Sequence, residues 1–392
     1  MNSIDDEPST TIQSRLLEEY AEKTSGDVIS KLQKKPWTAG KYRKQTWGVR
    51  LHGISPYVGR MKPSLAHWLI RICSKPGDVV LDPFCGIGTV PLEADLLNRR
   101  ALGVELNPYG LIIARAKFDR KPLIEQIEWL RKVKLDVDDV DIEEIPHFIK
   151  QFYHEKTLRE LFALKKKIEK EKRIFLLGCL LGISHGHRPQ HLSSVTGYIV
   201  PYRHAKYRAL YKPVIPKMIQ KVKRMYSSSF PKENSGAIIE GDARKLPFRE
   251  ESVDVVISSP PYYSTIDYIE SNRLRLALLG FNENQKVLKK NLIQHARSYL
   301  MEMRKVGLEL RRVLKPDSLC VFVLGDFLKK RVMVKTAEKV NELFSEIGFS
   351  TCAIIPDEIP IAKRTVVKWI GSEALKSYPK KFDRILVMRI NK

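Results

Sequence analysis

Hydrophobic positions along the 392 residues follow two rhythms. From residue 61 short apolar runs alternate with longer helical stretches. "PSLAHWLIRICS" reads as a helix and "DVVLD" (78–82) as a buried strand. "GTVPLEADLLN" (88–98) reads as a second helix and "ALGVEL" (101–106) as a second strand. Apolar runs bounded by turns and spaced by helix-length segments predict a parallel sheet covered by helices. The rhythm stops near 120, and 121–235 is patterned as helix without strand alternation. Within it, "IFLLGCLLGI" (174–183) is too short to span a bilayer and predicts a buried helix. Strands resume at "GAIIEGD" (236–242), "VDVVIS" (253–258), "SLCVFVLGD" (318–326), "FSTCAIIP" (349–356) and "DRILVMRI" (383–390). Helices are expected over 268–279, 297–313 and 335–348. The predicted organisation is a polar extension at 1–45 with a helix at 14–24, an α/β domain from 46–120 and 236–392, and a helical insertion at 121–235.

Charge changes the picture. The chain has 69 Lys+Arg against 45 Asp+Glu, a formal +24. Such an excess costs self-repulsion and points to a polyanionic partner, nucleic acid first and an anionic membrane surface second. Residues 201–225 hold eight Lys/Arg and no acid, with tyrosines interleaved. Arg203, Lys206, Arg208, Lys212, Tyr207 and Tyr211 are therefore candidate nucleic-acid contacts; a solvated helix face is the alternative. "KKPWTAGKYRKQTWGVR" (34–50) reads either as an arm on phosphates and bases or as a surface lead-in. Cys73, Cys85, Cys179, Cys320 and Cys352 form no CxxC pair, which argues against a zinc knuckle or disulfide framework and fits a reducing cytoplasm. The acidic N-terminus does not read as a signal peptide. His185, His187 and His191 lie close together without a nearby cysteine, so polar or phosphate contacts are favoured there and no metal is expected.

Candidate chemistry begins at "DVVLDPFCGIGTVPLEA". A strand ends in Asp82 and turns through Gly86 and Gly88 into a helix. Glycines permit a tight turn and close approach of a ligand to the backbone. Pro91 stands where a dinucleotide fingerprint needs its third glycine, and no GK[ST] follows. An acid at the mouth disfavours phosphate and favours a cationic or hydroxylated ligand. Glu105, twenty-three residues on, is placed to accept ribose hydroxyls. Asp242, at the end of the third strand, is placed to accept from an adenine amine. Three such acids suit S-adenosylmethionine, with Asp82, Pro83, Phe84, Cys85, Gly86, Gly88, Thr89, Glu105, Leu106, Asp242 and Ala243 as its candidate contacts.

"SSPPYY" breaks a strand with two prolines, each lacking an N–H, so the corner is rigid. Ser259 and the Pro260 carbonyl can accept from an NH2 group, and Tyr262 offers a stacking face.

These motifs resemble those of Rossmann-type methyltransferases that use S-adenosylmethionine, and more narrowly the nucleic-acid amino-methyltransferases. "DPFCGIGT" matches their cofactor motif, "GVELNP" the acidic motif after it, and "SSPPYY" the catalytic [DNS]PP[YFW] motif. The resemblance implies a mostly parallel seven-stranded sheet flanked by helices, with Ser259, Pro260, Pro261 and Tyr262 catalytic. In that family a serine at the first motif position accompanies cytosine N4 methylation, and aspartate or asparagine adenine N6 methylation. The implied activity is methylation of cytosine N4 in DNA on a flipped or unpaired base. The rivals are the same chemistry on structured RNA, a silent nucleic-acid-binding scaffold, and a small-molecule enzyme. Restriction-type N4 enzymes often run the motifs in the opposite order, so no partner nuclease is implied. "YVGRMKPSLAHW" (57–68) resembles the segment that closes over the methionine end of the cofactor, with Tyr57 and Lys62 as candidates.

Overall fold

In the computed structural model the described residues are 26–44, 47–119, 121–186, 190–194, 205, 207–226, 236–262, 267–282, 285–293, 295, 297–329, 332–358 and 382–392. The helix expected at 14–24, Arg203, Lys206 and His187 lie outside them.

Seven strands form one sheet: β1 (Val79–Asp82), β2 (Arg100–Glu105), β3 (Ala237–Glu240), β4 (Val253–Ser258), β5 (Leu314–Gly325), β8 (Phe349–Glu358) and β9 (Phe382–Ile390). Their order is β3-β2-β1-β4-β5-β9-β8. β1 to β5 pair in parallel, and β9 runs antiparallel to both β5 and β8. The mostly parallel, Rossmann-like sheet expected from the sequence is present, and each of its strands falls on a predicted run. A separate hairpin of β6 (Phe327–Lys329) and β7 (Val332–Val334) was not anticipated.

Alternating residues of the strands serve opposite faces. Val80, Val255, Ile257, Val321 and Val387 pack with the helices Pro63–Cys73 and Thr89–Leu96. Leu81, Val256, Cys320, Phe322 and Met388 pack with Tyr299–Val313 and Thr336–Ser345. Burial on both faces explains why β1 and β4 read as continuous apolar runs. Strand order reverses beside β1, with β2 and β3 on one side and β4 and β5 on the other. In such sheets the crevice outside the carboxyl ends of the strands at this switch point holds the ligand.

The insertion supplies Leu123–Lys132, Glu155–Lys170, Ile174–Ser184 and Val214–Met225, which share one core with Ile113 and Ala116 and with Leu51 and Ile54. Phe175 through Ser184 are all buried, as the apolar run implied. Close contact depends on small residues: a Cβ on Gly182 would lie 1.9 Å from the Ile54 carbonyl oxygen, and one on Gly178 would lie 2.6 Å from Ala116 Cβ. Among the described residues no helix is long and apolar enough to cross a membrane.

Candidate active site

The corner after β1 is shaped by backbone. Cys85 N–H donates to the Val104 carbonyl at 3.0 Å, and Gly88 N–H to the Cys85 carbonyl at 2.7 Å. Gly86 and Gly88 have φ of +52° and +71°, a region costly for residues with a Cβ. A Cβ on Gly88 would also lie 2.9 Å from Ala114 Cβ, so this glycine lets the following helix sit against Pro108–Ala116.

Two acids of this corner are held in an unusual state. Asp82 is 3% exposed. Burial pushes its carboxyl up to about 7, despite hydrogen bonds from Ser258 Oγ at 2.5 Å and Phe84 N–H at 3.1 Å. Burial likewise pushes Glu105 up to about 7, against bonds from the N–H groups of Asn107, Gly86 and Leu106. Asp242 differs. Burial pushes it up, but Arg244 outweighs this and holds it below the usual range. The Arg244 guanidinium reaches both Asp242 oxygens, at 2.5 to 3.0 Å, and Glu302 at 2.7 Å. It also donates to the Asn291 carbonyl at 3.0 Å, fixing that segment beside the acid. Asp242 lies two residues beyond β3 rather than at its end.

Ser259 follows β4 directly. Its hydroxyl donates to the Val323 carbonyl at 3.1 Å and also meets the Tyr262 side chain, and its oxygen retains acceptor capacity. Pro260 is buried. The Tyr262 hydroxyl donates to Asp383 at 3.4 Å, and its ring fills the space where a Cβ on Gly325 would lie 3.1 Å away.

The two corners open into one cleft, of about 860 Å³ including its mouth. The cofactor candidates Asp82, Pro83, Phe84, Cys85, Gly86, Thr89, Glu105, Leu106, Asp242 and Ala243 line it, together with Ser259 and Pro261. Gly88, Pro260 and Tyr262 are not among its lining residues. The aromatic walls are instead Tyr57 and Tyr268, stacked at 5.9 Å between centroids. Tyr57 was a candidate from the sequence; Tyr268 and Asn291–Ile293 were missed, since no motif spacing marks them, and Asn107 lies inside the quoted "GVELNP" but was not singled out. Lys62 donates to the Trp37 carbonyl at 2.8 Å and is not among the lining residues.

The lining suits S-adenosylmethionine. Carboxyls answer a sulfonium, an ammonium and ribose hydroxyls, while Phe84, Ile87, Leu106 and Ile293 supply apolar walls. Asn107 also lines the cleft, and its buried Nδ2 has no hydrogen-bond partner, leaving a donor for a ligand.

Of the insertion candidates, Tyr207 is 66% exposed and Arg208 is exposed. Tyr211 donates to Glu160 at 2.6 Å, with the Lys156 ammonium 4.7 Å from its ring centroid. The Lys212 ammonium is taken up by the carbonyls of His191 and Ser193, at 2.7 and 2.6 Å. None of these residues lines the cleft.

Residues 9–115, which include the glycine corner, match the family described as DNA methylase. Over this part the chain is similar to S-adenosylmethionine-dependent amino-methyltransferases. The match stops before Ser259. A Type II methyltransferase, M.MjaII of Methanocaldococcus jannaschii, is 26% identical over 121 residues, covering 31% of this chain and 21% of that protein. M.Cfr9I of Citrobacter freundii is 32% identical over 116 residues, 29% of this chain and 38% of its own. A tRNA (guanine(10)-N2)-dimethyltransferase of Methanothermobacter thermautotrophicus is 40% identical over 52 residues, 13% and 16% of the two chains. The chain thus spans well under half the length of these relatives.

Proposed function

We propose that this protein transfers a methyl group to the exocyclic N4 amine of cytosine in DNA. The observation that carries the reading is the shared cleft: Asp82 and Ser259 line it together, and Ser258 bonds Asp82 directly beneath. When bound, S-adenosylmethionine supplies an electrophilic methyl group on a sulfonium. Asp82, Glu105 and Asp242 hold it, with Asn107 as a further donor. The base amine is a poor nucleophile because its lone pair is delocalised into the ring. Ser259 Oγ, its own proton directed to Val323, accepts one amine N–H, and the Pro260 carbonyl accepts the other. That pyramidalises the nitrogen and frees its lone pair for in-line attack on the methyl carbon: the N–C bond would form as the S–C bond breaks, the thioether would leave, and the surplus amine proton would pass to solvent. The rigid Pro260–Pro261 corner keeps the acceptors in place, so positioning supplies much of the rate. Tyr262 is the motif residue for stacking, and Tyr57 and Tyr268 wall the cleft.

Methylation at cytosine C5 needs a cysteine nucleophile. Cys85, the thiol in the cleft, is pushed far up by burial, and no cysteine follows a proline. Serine in place of aspartate or asparagine favours cytosine N4 over adenine N6.

The short likeness to a tRNA dimethyltransferase favours a second reading, the same chemistry on structured RNA. One assay separates them. The protein is incubated with methyl-labelled cofactor and separate pools of unmodified DNA and RNA, and the labelled nucleoside is identified by mass. N4-methyldeoxycytidine is expected. Label only in RNA establishes the second reading, and N6-methyladenine overturns the serine argument. Ser259→Ala is expected to slow transfer by roughly five- to thirtyfold, the loss of about one to two kcal/mol of hydrogen bonding, while sparing cofactor affinity.

A further inference from the structure

A second concavity adjoins the cleft and shares Tyr57 and Arg60 with it. Its walls come from the 50–60 lead-in, from the end of Ile174–Ser184 with the segment after it, and from the last turn of Val214–Met225. Arg50, Arg60, His191, Lys221 and Arg224 line it, and no described acidic residue does. Arg60 and Lys221 donate to the carbonyls of His52 and Gly53, which orient them without neutralising their charge. Burial pushes Lys221 down to about 8, with Arg224 adding to the shift. The described lining gathers like charges, which repel one another, and a bound anion relieves that cost. Guanidinium forks fit phosphate oxygens. The hollow is open and shares Tyr57 and Arg60 with the cleft, so an anion that extends from a base in the cleft suits it better than a small free ion.

We propose that this groove holds the phosphodiester backbone flanking the target base, with Arg50, Arg60, Lys221 and Arg224 as its phosphate contacts. The inference rests on the methyl-transfer reading and names the surface that reading lacks. Of the residues singled out in the sequence at 203–212, the described Tyr207, Arg208, Tyr211 and Lys212 do not line this groove.

Arg50 and Arg224 are exposed, so Arg50→Gln/Arg224→Gln is expected to fold normally. Binding of a short cytosine-containing oligonucleotide is followed by fluorescence anisotropy across a salt series, with single-stranded DNA, duplex DNA and RNA as separate arms. Losing two phosphate contacts should flatten the slope of log affinity against log salt by about 1.4 on a single strand. KM for the oligonucleotide should rise with kcat and cofactor affinity held, and Arg50→Lys/Arg224→Lys should restore the slope. If the wild type methylates the oligonucleotide while the Gln variant leaves slope and KM unchanged, the groove assignment fails alone. If the wild type labels no nucleoside yet the Gln variant flattens the slope, the methyl-transfer reading fails alone and the groove stands. Displacement of the oligonucleotide by inorganic phosphate, but not by chloride of equal ionic strength, would mark a small-anion site and overturn the polymer assignment.

Discussion

Asp82 and Glu105 differ from ordinary surface carboxyls in holding protons near neutral pH, both being pushed up to about 7 by burial. In the unfolded chain they ionise near pH 4. Their contribution to stability is therefore full below about pH 4 and is lost as pH rises through about 7. Subtracting the Tm–pH curve of Asp82→Asn/Glu105→Gln from that of the wild type should give a difference that falls across this window; a flat difference contradicts the assignment. A cationic ligand favours the ionised pair, so binding of the cofactor near pH 6.5 should release protons, measured by calorimetry in buffers of different ionisation enthalpy. Uptake of protons would be the wrong sign. These acids were legible in the sequence because each ends or follows a strand beside a turn. The Arg244 clamp on Asp242 was not, because it also depends on Glu302, 58 residues away. Tyr268 was illegible for a similar reason: only folding brings it beside Tyr57.

At the scale of elements, short apolar runs bounded by turns were enough to find every strand of the large sheet, most clearly in β1 and β4, where burial on both faces leaves few polar positions. The β6–β7 hairpin escaped because its strands are three residues long and charged neighbours mask any alternation. Two glycines make the packing testable. Gly182→Ala would drive a Cβ into the Ile54 carbonyl oxygen, and overpacking of this kind costs roughly 1–3 kcal/mol. Denaturant melts should show that loss with cofactor affinity retained in the folded protein. Gly88→Ala meets both its +71° φ and the Ala114 contact at the glycine corner. It is expected to lower cofactor affinity about tenfold or more, a cost of at least about 1.4 kcal/mol. Equal affinities in the two variants would count against the corner as the cofactor site.

At the scale of the molecule, +24 was visible in composition, but its use was not. The groove cations come from 50–60 and 221–224, brought together only when the insertion docks on the α/β core. The sequence marked both 34–50 and 201–225, which hold Arg50, Lys221 and Arg224, but could not show that they meet; within 201–225 it selected Lys212, whose ammonium serves two backbone carbonyls. Affinity for any polynucleotide should fall roughly tenfold or more between 50 and 200 mM salt, as several phosphate contacts require. An affinity indifferent to salt would remove the polyanion argument. The most direct measurement is a crystal structure with S-adenosylhomocysteine and cytidine bound together. It should show both ligands in the one cleft, the cytosine amine at Ser259 and the nucleoside of the cofactor product between Glu105 and Asp242. Ligands on separate surfaces, or a cofactor product away from the glycine corner, would contradict the account.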